Sequence, residues 1–220
     1  QHSIARRQRQ MCIRDRKNDK NFIPDLIRML DNVITYFVEN APNTLSKAKF
    51  SAKMERSLGL GAMGFHAYLQ RKNIPFESPM AVGVNKLMFG HIKKEAVNAT
   101  KTLAVERGEA PDAVGEGVRN VHLLAVAPNA SSSIICGNTS PSIEPYRANA
   151  FTQKTKSGSS LLKNEYLEHI LQELGEDTDE VWKSIITNNG SVQHLEFLDE
   201  WTKDVFKTAV EIDQRCIIEM

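Results

Sequence analysis

The sequence predicts an α/β fold in which helix dominates. Three observations predict it. Apolar residues recur at helical spacing over long stretches near both ends of the chain. A short apolar run, Val121 to Val126, reads as a buried strand of the kind that parallel sheets contain. That run leads through Pro128 into three consecutive hydroxyls, Ser131 to Ser133, where a helix should begin. Long helices that alternate with few, short, apolar strands favour buried parallel pairing.

Taken in order, residues 1–16 look foreign to the fold. Arg6 to Arg16 carries neither a helical nor a strand pattern and resembles a translated sequencing-adapter junction, so 1–16 is set aside as a non-native segment. The alternative is a genuine basic arm. From Phe22 the pattern is clean: Ile23, Leu26, Ile27, Leu30, Val33, Ile34, Phe37 and Val38 make one apolar helix face, which ends at Asn40 to Pro42. Leu58 to Gly64 is glycine-rich, and a helix follows over about 65–72. A long helix is expected from Pro79 to Arg107, with Val84, Leu87, Met88, Ile92, Ala96, Ala99 and Leu103 inward and Gly108 closing it. A polar loop then precedes the strand and the serine turn. Residues 149–160 read as a polar stretch with a turn at Ser157-Gly158-Ser159. Three helices finish the chain, at about 165–174, 179–187 and 199–219.

Composition narrows the function. A chain of 220 residues with 41% hydrophobic and 25% charged residues is ordinary for a globular protein. A net charge of +1 argues against a nucleic-acid surface. No apolar run is long enough to span a membrane, which leaves no membrane role, and no secretory leader is visible. The three cysteines, Cys12, Cys136 and Cys216, are far apart and form no zinc pattern, which fits a reducing, cytoplasmic setting. The six histidines make no metal-binding spacing, so no metal site is expected.

Two segments compete as binding sites. Gly59-Leu60-Gly61-Ala62-Met63-Gly64 matches the glycine spacing of dinucleotide sites and opens a helix, with Glu77 further on. A nicotinamide-dependent oxidoreductase also needs a β-branched strand before the first glycine, and Ser51 to Ser57 is polar. The bland reading is close backbone packing. The serine turn has two readings. Free N–H groups at a helix start, joined by serine hydroxyls, would cradle a phosphate or diphosphate. Alternatively, Asn129 or Ser131 only caps the helix of a non-catalytic interaction module. Cys136 and Cys216 lack any nearby catalytic partner in the sequence and read as small packing residues.

The residues together resemble a known family. Leu58 to Phe65, Arg119-Asn120, Pro128 to Ile135, Asn138 to Pro145 and Phe151 to Thr155 occur in the order and spacing of the large, catalytic subunit of class I ribonucleotide reductase. Gly190 to Leu195, Phe206 to Ala209 and Ile212 to Arg215 extend the likeness. The resemblance implies that residues 17–220 are the later part of a ten-stranded α/β barrel, a partial catalytic domain. It implies radical-based reduction of ribonucleotides to deoxyribonucleotides for DNA synthesis. The substrate's phosphates would lie on Pro128, Asn129, Ala130, Ser131 and Ser132. No catalytic residue falls within the chain, since neither Cys136 nor Cys216 aligns with a catalytic cysteine, so the fragment alone should be inactive. The implied partners are a ribonucleoside diphosphate, a metal-containing small subunit that supplies the radical, a second large subunit in a homodimer, and ATP and deoxynucleotide effectors. No cofactor would be held directly. Electrons would come from thioredoxin or glutaredoxin.

Overall fold

The computed structural model describes residues 20–219 apart from 157, so the adapter-like residues 1–16 lie outside the described part. The chain divides into two compact units. Among the described residues, one comprises 20–61 with Leu87–Ala127; the other comprises Ala62–Lys86 with 128–219.

In the first unit, α1 (Phe22–Asn40) buries the predicted face: Ile23 and Ile27 enter the core, with Leu26, Leu30 and Ile34 packed at its margin. A second helix, α2 (Ser46–Glu55), was not expected from the sequence. It buries no residue, so no apolar periodicity announces it. It ends at Arg56, whose backbone is left-handed (φ 50°) and whose N–H closes on the Ala52 carbonyl at 3.2 Å. After α3 (Phe65–Arg71), which belongs to the second unit, comes α4 (Pro79–Arg107), with the predicted bounds; it passes from the second unit into the first. Ala96, Ala99 and Leu103 join the core with Ile92, and Gly108 closes the helix at φ 85°. Leu87, expected inward, is 79% exposed, because in this unit the stripe is covered only from Ile92 onward.

The expected buried strand at 121–126 is corrected. The segment is extended but makes a single parallel bridge, Leu60↔Leu124, supported by Leu58 N–H to the His122 carbonyl (2.8 Å) and Leu60 N–H to the Leu123 carbonyl (2.9 Å). Pairing runs along one side only among the described residues, so Val121, Leu124 and Val126 stay exposed.

The second unit is built around Leu167, Leu171, Trp182, Ile185, Val192, Leu195, Leu198, Val205 and Phe206. Its elements, besides α3, are α5 (Ala130–Ile135), β1 (Ala150–Thr155), β2 (Gly158–Lys163), α6 (Glu165–Leu174), α7 (Asp179–Thr187), α8 (Glu200–Val205) and α9 (Arg215–Glu219). Helix starts are capped by side chains: Asn164 accepts from Tyr166 N–H, Thr178 from Val181 N–H and Asp199 from Thr202 N–H. The polar stretch at 149–160 is in fact part of an antiparallel hairpin, paired from Ala150↔Lys163 to Thr155↔Gly158. Its ladder is backbone-made and its side chains are largely exposed, which hid it from a hydrophobic pattern. The single helix expected over 199–219 breaks into α8 and α9. Thr208 turns its N–H and hydroxyl onto the Glu211 carboxylate, and Ala209 N–H bonds the Tyr146 carbonyl, so the backbone leaves the helix between them.

Candidate functional site

The serine turn occupies the start of α5. Asn129 is its N-cap, yet its side chain makes no capping hydrogen bond, so the structure gives no support to the capping reading at that residue. The first-turn N–H groups of such a helix have no intrahelical acceptor. Ser131 and Ser132 are exposed, whereas Ser133 is buried and its hydroxyl donates to the Ala130 carbonyl at 3.1 Å. Pro128 and Ala130 are exposed and Asn129 half-buried, so the five predicted residues stand together on the outside of one turn. Two hydroxyls and a helix start on an open surface can take an anion.

Cys136, expected to pack, is exposed. It stands at the C-cap of α5, where the chain leaves the helix for Gly137 and Asn138, both with positive φ. Cys216 is half-buried, and its burial pushes the thiol pKa up.

The glycine motif is not a dinucleotide site. A helix, α2, precedes it where a strand is required. Close packing explains it instead: a Cβ at Gly61 would lie 2.7 Å from the Ala125 carbonyl oxygen.

Two polar clusters escaped sequence reasoning. In the first unit, Asp31 is fully buried and accepts from Arg56 Nη2 (2.6 Å), Arg56 Nε (2.9 Å), Arg107 Nη1 (2.8 Å) and Asn120 Nδ2 (3.1 Å), with Arg119 Nε at 3.5 Å. Burial alone would raise the carboxyl's pKa. The bonds from Arg56, Arg107 and Asn120 outweigh it and hold Asp31 below the ordinary carboxylate range. The available signal was a charged residue on the apolar face of α1. A cavity of about 290 Å³ beside this cluster is lined by Lys53, Arg56 and Arg119 but also by Glu39 and Glu109. Its mixed charge makes it a poor anion site.

In the second unit, His66 is fully buried against Phe76 and Tyr146. Its Nδ1 accepts the Tyr146 N–H at 3.0 Å, which assigns the ring proton to Nε2. Nε2 sits near the Val205 carbonyl without a hydrogen bond of good geometry. Burial pushes the pKa down to about 3. The folded pKa lies below the unfolded value near 6.5, so this contribution to stability is complete above about pH 6.5 and lost as pH falls towards 3. The free energy of unfolding from denaturant titrations should fall below pH 6.5 with a slope that approaches about 1.4 kcal/mol per pH unit, and His66→Gln should remove that contribution. Equal slopes in the two proteins would exclude a buried neutral His66.

Among the described residues, no group of three or more His, Cys, Asp or Glu is placed to hold a metal ion, and no helix is long and apolar enough to cross a membrane.

A family model described as the ribonucleotide reductase barrel domain matches residues 10–116 and 110–220. The chain is 50% identical over 207 residues to the ribonucleoside-diphosphate reductase large subunit of Invertebrate iridescent virus 6, covering 92% of this chain and 22% of that protein. It is 47% identical over 204 residues to the same subunit of Invertebrate iridescent virus 3, covering 91% and 32%. Among solved structures, the Actinobacillus ureae class Id ribonucleotide reductase alpha subunit matches with a TM-score of 0.84 and 40% identity, covering 94% of this chain and 38% of that one. The chain therefore spans well under half the length of these relatives. It belongs to the ribonucleotide reductase barrel-domain family.

Proposed function

We propose that this chain is the phosphate-holding part of the barrel of a ribonucleoside-diphosphate reductase large subunit. The supporting observation is the turn Pro128, Asn129, Ala130, Ser131 and Ser132: it starts a helix, exposes two hydroxyls and lacks a side-chain cap. The first-turn N–H groups and the Ser131 and Ser132 hydroxyls donate to the diphosphate of a ribonucleoside diphosphate. Binding energy from these non-reacting phosphates holds the ribose in register for the reduction. The rest of the subunit supplies the reacting cysteines. A metal-containing small subunit supplies the radical, thioredoxin or glutaredoxin the electrons, and a second large subunit and nucleotide effectors the regulation, in the cytoplasm.

The test is Ser131→Ala with Ser132→Ala in the large subunit that carries this chain. Hydrogen bonds to charged groups are worth roughly 1.5–3 kcal/mol each, so KM for the diphosphate should rise at least about tenfold. An unchanged KM and kcat/KM would remove the phosphate assignment.

A further inference from the structure

We infer that Gly64 and Thr139 are positioning residues that set where the phosphate turn stands; this rests on the phosphate reading of Pro128 to Ser132. The turn is gripped at both ends by the short strap that follows it. Asn129 N–H donates to the Pro141 carbonyl at 3.2 Å, and Thr139 N–H donates to the Ser133 carbonyl at 3.2 Å. The strap is in turn fixed to the start of α3. Gly64 N–H donates to the Ser140 carbonyl (2.9 Å), Phe65 N–H to the Ser142 carbonyl (3.2 Å) and Ala67 N–H to Ser140 Oγ (3.2 Å). The Ser142 hydroxyl answers by donating to the Ala62 carbonyl at 3.3 Å. First-turn N–H groups of α3, which have no acceptor within their own helix, are thus spent on the strap. Gly64, the third glycine of the Gly59–Gly64 motif, is thus part of what holds the strap.

Gly64 has φ 83°, and a Cβ built there would lie 2.6 Å from Thr139 Oγ1. Thr139 is β-branched and restricted at χ1, so a shift of its own backbone is the direct way to relieve the contact. That backbone carries the N–H that holds Ser133. Any side chain at 64 therefore pushes the strap, and the strap displaces the serines.

The substitution that isolates this contact is Gly64→Asn. Asparagine tolerates left-handed backbone, so the fold is kept while a Cβ is added. In the large subunit assayed with its radical-generating partner, Gly64→Asn should raise KM for the diphosphate about tenfold with kcat within about twofold, since a small misplacement of a binding group is costly. Adding Thr139→Ala removes Oγ1 and should restore KM to within about twofold of the parent. An unchanged KM in Gly64→Asn overturns the inference, and so does a raised KM that Thr139→Ala fails to rescue. Ser131→Ala with Ser132→Ala, run in the same assay, separates the two readings. If the serine pair raises KM and Gly64→Asn does not, only the positioning falls. If neither raises it, the phosphate site falls as well. Should Gly64→Asn fold poorly, recovery of both folding and KM in the double variant still supports the contact, and recovery of folding without KM overturns it.

Discussion

Asp31→Ala should destabilise the first unit by about 3–5 kcal/mol, the cost of breaking a buried ion pair from one side. The reason lies in what remains. Arg56 and Arg107 donate to this one carboxylate, Arg119 stands close by, and Asn120 completes the set. Removing the carboxylate strands the Arg56 guanidinium, which is 7% exposed, without its counter-charge. It also frees Arg56, a residue whose left-handed backbone is unfavourable unless held. Denaturant unfolding with hydrogen exchange across α1 and α4 reads the effect. Arg28→Ala is the control: Arg28 and Glu106 form an exposed pair across the same two helices, and its loss should move the midpoint little. Equal effects of Asp31→Ala and Arg28→Ala would refute the hub role. The sign with pH follows from the depressed Asp31 pKa. Its contribution is present above the unfolded carboxylate value near 4 and disappears as acid titrates the folded group below that.

Trp182→Ala should cost the second unit about 3–5 kcal/mol, as large-to-small changes of buried aromatics do. The indole is 1% exposed at the centre of the α6–α7 core. It is also tied electrically: Nε1–H donates to Asp177 Oδ1 at 2.6 Å, and Lys163 Nζ sits 4.6 Å from the ring centroid. The indole bond is the main reason Asp177 sits below the usual carboxylate range. Trp182→Phe separates the two parts, because it keeps an apolar ring and drops the donor. It should lose clearly less than Trp182→Ala while relaxing the Asp177 pKa towards its ordinary value. Matching losses in the two variants would mean that the hydrogen bond, not the packing, carries the stability.

The helices most legible in the sequence were those with one wet and one dry face. α1, α6 and α7 bury a stripe at helical spacing, and the structure adds side-chain caps at Asn164, Thr178 and Asp199. α2 was invisible because all of its faces are wet. The hairpin was invisible because its order lies in backbone bonds between residues that are mostly polar and largely exposed. Val121 to Val126 misled in the opposite way: an apolar run states what a segment needs, and a single partner at Leu58 to Leu60 meets only part of it. The position of the serine turn was legible, since a proline and three hydroxyls mark it directly. What holds it was not, because Gly64 and Thr139 meet only in three dimensions.

The half-satisfied ladder at Leu60 and Leu124 bears on how the polypeptide behaves in a tube. Among the described residues the segment 121–126 pairs along one side only, beside exposed Val121, Leu124 and Val126, and an unpaired strand side is the template that edge-to-edge aggregation uses. Aggregation of the chain handled by itself should therefore rise with concentration, and it should lessen when Val126, the most exposed of the three, is replaced by lysine.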